Sequence, residues 1–174
     1  INDILVSLKK YYPEFYEMFE RYGSEQIRNV ASLGGNIGSA SPIGDSLPVL
    51  ISLDTKLILD GNKSRKVSMS DYFVGYRQTK LRKKEFIKEI IIPLKSRNNT
   101  LKCYKISKRI DDDISAVFMA INTEIKNNKF KTIKIVCGGM AAVPKIAKKT
   151  ETYLKDKKIN FDTIAKAKKI ISKE

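Results

Sequence analysis

The sequence predicts an α+β chain in which helices and a glycine-rich segment precede an antiparallel sheet, a second antiparallel meander and two closing helices. Three observations support this fold class. Apolar residues have helical spacing in the first 22 residues, short apolar or alternating runs fill the middle of the chain, and helical spacing returns after residue 144. With 174 residues, 42% of them hydrophobic, the chain can bury the core of one domain or of two small ones.

The first 22 residues form the first predicted element, a helical segment interrupted by Pro13, where a new first turn begins. Gly23 is the expected stop. From residue 24 to residue 45 the apolar periodicity disappears, and glycine and serine dominate. This composition predicts a binding loop, because such a stretch can bend freely but buries little surface.

The middle of the chain is predicted to be mostly strands. A short buried helix around Pro48 comes first, with Asp45 or Ser46 at its N-terminal end. Residues 56 to 69 then predict a hairpin that turns at Gly61 and Asn62.

The rest of the chain predicts further strands and two helices. Strands are expected at residues 86 to 93 and 101 to 108, and residues 114 to 125 are expected to pair with 132 to 136 across a polar turn. Helices are expected from about Pro144 to residue 154 and from an Asp162 cap to residue 171. We place a domain boundary in the polar stretch from residue 95 to residue 100.

The charge distribution bears on the class of partner. A formal net charge of +15 favours nucleic acid or an anionic membrane surface. The lysines and arginines are spread over every segment, however, and aromatic residues are not interleaved with them as base stacking requires. We therefore expect a solvated basic surface with neither nucleic acid nor membrane as partner. A non-catalytic basic binding or scaffold module is the alternative.

Residue types exclude several chemistries. The chain has no His, which excludes Ser-His and Cys-His nucleophiles and His-containing zinc sites within it. Cys103 and Cys137 are isolated in apolar runs, so we expect two buried thiols and no metal site.

No apolar run approaches the ~20 residues of a membrane span and no signal peptide opens the chain, so the cytoplasm is the expected compartment. Because Ile1 opens the chain inside an amphipathic segment, we expect a fragment or a piece of a longer protein.

Residues 32 to 45 are the most informative segment. Its paired glycines allow backbone N–H groups to approach an anion, and the hydroxyls of Ser32, Ser39 and Ser41 add donors, so a diphosphate is a suitable ligand. Asp45 is suited to a ribose hydroxyl or to a helix cap. The segment is neither a dinucleotide-binding βαβ fingerprint nor a P-loop. On composition alone, a plain surface loop is an equally good interpretation.

Three segments carry a family resemblance. The run QIRNVASLGGNI at residues 26 to 37, continued by SPIGD at 41 to 45, closely resembles the second flavin-binding motif of the xanthine dehydrogenase and carbon monoxide dehydrogenase flavoproteins. YKISKRIDDDIS at 104 to 115 resembles the flavin-side loop of that family, and GGMA at 138 to 141 resembles the start of its C-terminal domain. The residues of these segments most resemble the FAD-binding small subunit of bacterial xanthine dehydrogenases.

This resemblance implies an architecture and a set of FAD-binding residues. Residues 1 to 95 would form the antiparallel-sheet half of a flavin-binding lobe, and residues 96 to 174 the family's small antiparallel sheet with helices. The implied cofactor-binding residues are Tyr22 against the dinucleotide, Ser32, Leu33, Gly34, Gly35, Asn36 and Ser39 at the pyrophosphate, Asp45 at a ribose or phosphate, Ile87 beside the cofactor, Lys105 near the flavin ring and Ile114 against the isoalloxazine. Arg109 and Asp112 would lie in the loop over the NAD side. No residue is nominated as a catalytic acid or base.

The resemblance also implies cofactors and partners outside the chain. In this family a molybdenum cofactor on a large subunit hydroxylates a purine, iron–sulfur clusters pass the electrons on, and FAD reduces NAD. The first of the family's two pyrophosphate loops, which lies in an upstream lobe, is missing from residues 1 to 174, so we expect this chain alone to bind FAD weakly. Two isolated cysteines also cannot ligate an iron–sulfur cluster. The implied partners are the upstream half of the FAD domain, iron–sulfur domains and the molybdenum subunit.

Overall fold

The computed structural model describes residues 1–94, 96 and 98–174, and it is an α+β structure with antiparallel sheets, as the sequence predicts. The helices are α1 (Asn2–Tyr11), α2 (Pro13–Glu20), α3 (Glu25–Val30), α4 (Leu33–Ser39), α5 (Ser46–Ser52), α6 (Met69–Tyr72), α7 (Lys148–Leu154) and α8 (Phe161–Ile171). The strands are β1 (Lys56–Asp60), β2 (Arg65–Ser68), β3 (Phe73–Gly75), β4 (Gln78–Thr79), β5 (Phe86–Ile91), β6 (Asn99–Ile106), β7 (Val117–Lys126), β8 (Lys129–Gly138) and β9 (Lys145–Ile146).

The segment expected to be a loop, residues 24 to 45, is largely helical, so this prediction was wrong. Ser24 and Ser32 cap α3 and α4, and each side chain accepts a hydrogen bond from a backbone N–H three residues later. Ile37 on α4 is fully buried in the main core. Capping and burial thus outweigh the low helix propensity of three glycines in α4, a balance that composition alone does not reveal.

The first sheet has three strands in the order β2-β1-β5, and their pairing is antiparallel throughout. It contains the predicted hairpin, and the next strand that the sequence predicted, at residues 86 to 93, is β5. The helix α6 and the small hairpin of β3 and β4 were not predicted. They are only two to four residues long, too short to show a periodic pattern.

The four-stranded sheet, called the second sheet below, has the order β6-β7-β8-β9 and is also antiparallel. β7 and β8 are joined at Asn127 and Asn128, which both have positive φ, as a tight two-residue hairpin turn requires. The predicted polar turn is therefore confirmed. β8 ends at Gly138, and Gly139 follows with φ +80°.

The C-terminal helices begin elsewhere than predicted. The segment after Pro144 first forms the short strand β9 against β8, and α7 begins only at Lys148. The cap of α8 is Asn160, whose side chain accepts a hydrogen bond from the Thr163 N–H at 2.8 Å. Asp162 instead lies inside the first turn of α8. Both Asn and Asp are good caps, so sequence alone did not separate them.

Two hydrophobic clusters hold the chain together. The larger one combines Phe15 and Phe19 of α2 and Leu50 of α5 with Leu101 and Phe118 of the second sheet. The smaller one lies between the second sheet and helices α7 and α8. The main core therefore spans both parts of the chain. The division at residues 95 and 96 stays a prediction, and Lys95 lies outside the described residues.

Within residues 1–94, 96 and 98–174, no helix is long and apolar enough to cross a membrane.

Candidate functional site

A cavity of about 430 Å³ opens where the first helices meet the start of the second sheet. Five of the eleven predicted site residues line it: Tyr22, Asn36, Asp45, Lys105 and Ile114. They come from five segments that are up to 92 positions apart in the chain. The remaining lining residues are Gly23, Ser24, Ile27, Ser41, Ile43, Gly44, Asp112 and Asp113.

One wall of the cavity holds a buried ion pair between Asp45 and Lys105. The Lys105 ammonium donates to Oδ2 of Asp45 at 2.6 Å, and each side chain is only 5% exposed. Oδ1 of the same carboxylate accepts a hydrogen bond from the Ser115 hydroxyl at 2.5 Å. Both oxygens of Asp45 therefore have partners inside the chain. Asp45 precedes α5 but makes no capping hydrogen bond there, because its carboxylate is used in this way.

A second polar chain joins Tyr22, Asn36 and Ser46. The Asn36 amide donates to the Tyr22 hydroxyl at 3.0 Å, and its oxygen accepts a hydrogen bond from the Ser46 hydroxyl. Burial raises the pKa of the Tyr22 phenol, and the nearby Asp45 carboxylate raises it further. Tyr22 therefore stays a neutral phenol, with an aromatic face and a hydroxyl whose position Asn36 fixes.

The loop between β6 and β7 closes another side of the cavity. The Arg21 guanidinium donates to the carbonyl oxygen of Ile110 at 3.3 Å and to the Ser107 hydroxyl at 3.3 Å. Within the loop, Asp113 accepts the backbone N–H of Arg109 at 2.8 Å, and this bond is the main cause of the lowered pKa of Asp113. The loop is thus tied both to α2 and to itself.

The glycine-rich helix α4 adjoins the cavity through Asn36. The Ser32 hydroxyl accepts the Gly35 N–H at 2.9 Å, and the Ser39 hydroxyl donates to the Asn36 carbonyl oxygen at 2.8 Å. Gly34 has open space where a Cβ would be, and none of the glycines in α4 has positive φ. Leu33 packs against the main core.

Several predicted residues are not brought to the cavity. Ser32, Leu33, Gly34, Gly35 and Ser39 lie on α4 outside its lining. Ile87 lies on β5, half-buried against the main core, and β5 packs against α4. The structure thus places these six residues outside the cavity lining, at α4 with its cap Ser32 and on β5, which packs against α4.

Ser115 and Arg21 are polar contacts of this region that the sequence analysis did not nominate. Ser115 follows directly after the predicted Ile114, but its burial depends on the tertiary fold. Arg21 precedes the predicted Tyr22, and its partners are 84 to 89 positions away in the chain. Among the described residues, no cluster of His, Cys, Asp and Glu is suited to a metal ion.

Comparison with protein families identifies the family of the chain. A model described as the FAD binding domain in molybdopterin dehydrogenase matches residues 1 to 95, which is more than half of the chain. The chain belongs to this flavoprotein family. A second model, described as the CO dehydrogenase flavoprotein C-terminal domain, matches residues 102 to 174. The family resemblance inferred from the three sequence segments is therefore confirmed.

Similar proteins include two xanthine dehydrogenases. The protein of Blastobotrys adeninivorans is 32% identical over 167 residues, which cover 94% of this chain and 12% of that protein. That of Emericella nidulans is 38% identical over 140 residues, covering 79% and 10% respectively. This flavoprotein chain thus spans about a tenth of the length of these relatives.

Solved structures share the fold of the chain. Carbon monoxide dehydrogenase from Hydrogenophaga pseudoflava superimposes with a TM-score of 0.92 at 22% identity, covering 97% of this chain and 60% of that one. Quinoline 2-oxidoreductase from Pseudomonas putida 86 gives a TM-score of 0.84 at 19% identity, covering 95% and 57%. At these identities the likeness establishes the fold, and it confirms the predicted α+β class.

Proposed function

We propose that this chain forms one part of an FAD site in a molybdenum hydroxylase of the xanthine dehydrogenase type. The observation that carries the proposal is the cavity itself, in which Tyr22, Asn36, Asp45, Lys105 and Ile114 lie together. The family resemblance implies an FAD-binding role for all five. Their convergence is what a single ligand that touches all of them would require.

The chemistry of these side chains suits a flavin dinucleotide. Lys105 supplies a fixed cation for an anionic group, and Tyr22 supplies an aromatic face with a polar tip. Ile114 is 69% exposed at the cavity edge, and a planar ring would cover such an apolar side chain. We assign the pyrophosphate to α4, with Ser32, Leu33, Gly34, Gly35 and Ser39, and place Ile87 on the adjoining strand.

We further propose that the chain acts within an assembly that carries electrons from iron–sulfur clusters through FAD to NAD. Bound FAD supplies the hydride chemistry, and residues of this chain bind the cofactor, orient it and set the charge around it. The molybdenum cofactor and the iron–sulfur clusters belong to partner domains. The relatives named xanthine dehydrogenase support this place in the assembly. The substrate of the molybdenum partner and a cytoplasmic location stay predictions.

The test is the visible absorption spectrum of the protein purified in its native assembly. We expect flavin bands near one FAD per chain in the wild type and a several-fold lower flavin content in Lys105→Gln. Lys155→Gln is the matched control, because Lys155 is exposed and lines a separate cavity that shares no residue with this one. A colourless wild-type protein, or full flavin content in Lys105→Gln, would contradict the proposal.

A further inference from the structure

Ser115 occupies an unusual position beside the ion pair of the cavity. It follows the exposed Ile114 and lies two residues before the start of β7 at Val117, yet it is only 2% exposed. Its hydroxyl donates to Oδ1 of Asp45 at 2.5 Å. Asp45 lies 70 positions earlier in the chain, so this bond joins the turn before α5 to the loop that precedes β7.

The bond determines how Asp45 can hold Lys105. A carboxylate has two oxygens, and here one is occupied by Ser115 and the other by the ammonium of Lys105. The carboxylate therefore cannot rotate without breaking a short hydrogen bond at a buried site, where lost bonds to charged groups are costly. An ammonium has three donors, and two remain for other partners after Oδ2 takes one.

The positions of Ser115, Asp45 and Lys105 show how the fixed carboxylate affects a ligand in the cavity. Lys105 and Asp45 both line the cavity, whereas Ser115 does not and touches Asp45 from behind. The three side chains come from separate segments: the turn after α4, strand β6 and the end of the loop before β7. A cation held in this way has one position, and it needs no rearrangement when an anionic group enters.

We propose that Ser115 is a positioning residue of the flavin site, which acts through Asp45 to hold the Lys105 ammonium at the cavity wall. This inference rests on the proposed FAD-binding function, but its immediate effect is on Lys105 itself. Loss of the Ser115 hydroxyl leaves Oδ1 of Asp45 without its partner. The carboxylate then turns, and Lys105 loses its fixed position.

The experiment compares wild type, Ser115→Ala and Ser115→Thr in the native protein. The first readout needs no flavin: the amine of Lys105 is labelled with acetic anhydride, and the labelled fraction is measured by mass spectrometry. We expect Ser115→Ala to raise the labelling rate of Lys105 several-fold, and Ser115→Thr, which keeps the hydroxyl, to restore the wild-type rate. Ser52→Ala is the matched control, because Ser52 is equally buried but donates to the Val49 carbonyl oxygen within α5.

The second readout is the bound cofactor. We expect Ser115→Ala to weaken FAD binding by roughly 3- to 10-fold, the effect of one lost hydrogen bond, and to shift the flavin midpoint potential to more negative values. Circular dichroism confirms that each variant is folded. For a folded Ser115→Ala protein, unchanged labelling of Lys105 overturns the proposal, and so does unchanged FAD affinity and potential in a flavin-containing wild type. A wild type that binds no flavin but shows the labelling pattern refutes the FAD function alone and still supports the positioning role.

Discussion

Gly35 lies in the first turn of α4, where its backbone N–H is the partner of the Ser32 hydroxyl. Gly35 does not have the positive φ that would favour glycine over other residues. A Cβ at Gly35 would lie 3.0 Å from Oγ of Ser32 and meets nothing else within 4 Å. The backbone conformation at Gly35 thus does not require a glycine. The absence of a side chain there leaves space beside an exposed helix turn.

We predict that Gly35→Val removes most of the flavin from the native protein but leaves the fold intact. A branched side chain would block the close approach of a diphosphate to the backbone, and a tenfold loss of affinity corresponds to about 1.4 kcal/mol. Flavin absorbance per protein measures the outcome, with circular dichroism for the fold. Gly75→Val is the matched control, because the three atoms nearest to a Cβ there all belong to the Gln78 side chain. Full flavin occupancy in Gly35→Val would remove α4 from the pyrophosphate site.

Tyr72 is fully buried in the main core, and its hydroxyl has no hydrogen-bond partner in the part of the chain that the structure describes. A buried hydroxyl without a partner costs desolvation free energy. We predict that Tyr72→Phe raises the free energy of unfolding by about 1 kcal/mol, measured by urea denaturation. Tyr12→Phe is the contrasting variant, since the buried Tyr12 hydroxyl donates to the Pro93 carbonyl oxygen, and it should lose stability. Similar losses in both variants would show that the Tyr72 hydroxyl has a partner.

The ends of the elements are set by single polar side chains, and α8 shows this most clearly. Asn160 accepts the Thr163 N–H, whereas Asp162 is exposed within the first turn. We predict that Asn160→Ala lowers the free energy of unfolding by about 1 kcal/mol, because the helix loses its capping hydrogen bond. Asp162→Ala loses only its interaction with the helix dipole and should cost less. Urea denaturation of the two variants checks the order, and a larger loss in Asp162→Ala would make Asp162 the functional cap.

The edge of the first sheet is joined to the segment before β5 by Arg65 and Glu85. Nε and a terminal nitrogen of Arg65 donate to the two carboxylate oxygens at 2.8 and 2.7 Å, and the Arg82 N–H adds a third bond. Hydrogen bonds from Arg65 are the main cause that lowers the pKa of Glu85 to about 2. Because the folded pKa lies below the ordinary value of 4.5, the contribution to stability is present above pH 4.5 and is lost as the pH falls toward 2.

We predict from this pKa that Glu85→Gln lowers the stability of the chain most above pH 5 and progressively less toward pH 2. Urea denaturation at a series of pH values gives the difference between wild type and variant. In an Arg65→Met background, the pH dependence of that difference should shrink, because the guanidinium that stabilises the carboxylate is gone. A difference that stays constant from pH 6 to pH 2 would refute the assignment.

At the scale of the whole molecule, the main core crosses between the first helices and the second sheet. Leu101 and Phe118 pack in the same cluster as Phe15 and Leu50, and α5 packs against β7 and β8. This shared core brings Lys105 beside Asp45. The cavity therefore depends on the contact between the two parts of the chain, and neither part could form it alone.

We predict that residues 1 to 174 by themselves bind FAD weakly or not at all. The family resemblance implies that the first of two pyrophosphate loops lies in an upstream lobe, outside residues 1 to 174. Several hydrogen bonds at ~1 to 3 kcal/mol each would be missing, which weakens affinity by several orders of magnitude. Titration of the purified chain with FAD, followed by flavin fluorescence, measures the affinity. A stoichiometric yellow preparation of residues 1 to 174 would contradict this prediction.

Several features followed from the sequence by itself. The alternating apolar runs predicted β1, β5, β6, β7 and β8, because a strand with one buried face shows its period directly in its residues. The Gly-Gly-Asn motif and the flavin-side motif identified the family, which the family models confirm. These signals are local, so no knowledge of the fold was needed to recognise them.

Other features were decided only by the tertiary structure. Helix α4 exists because Ser32 caps it and Ile37 is buried, although its glycines favour a loop. The partners of Asp45 lie 60 and 70 positions away, and no spacing rule predicts that Lys105 and Ser115 share one carboxylate. Local patterns are set by neighbours along the chain, whereas burial and long-range hydrogen bonds are set by packing between elements. The sequence thus determined which elements and which family to expect, and the packing of the first helices against the second sheet decided where the charges meet.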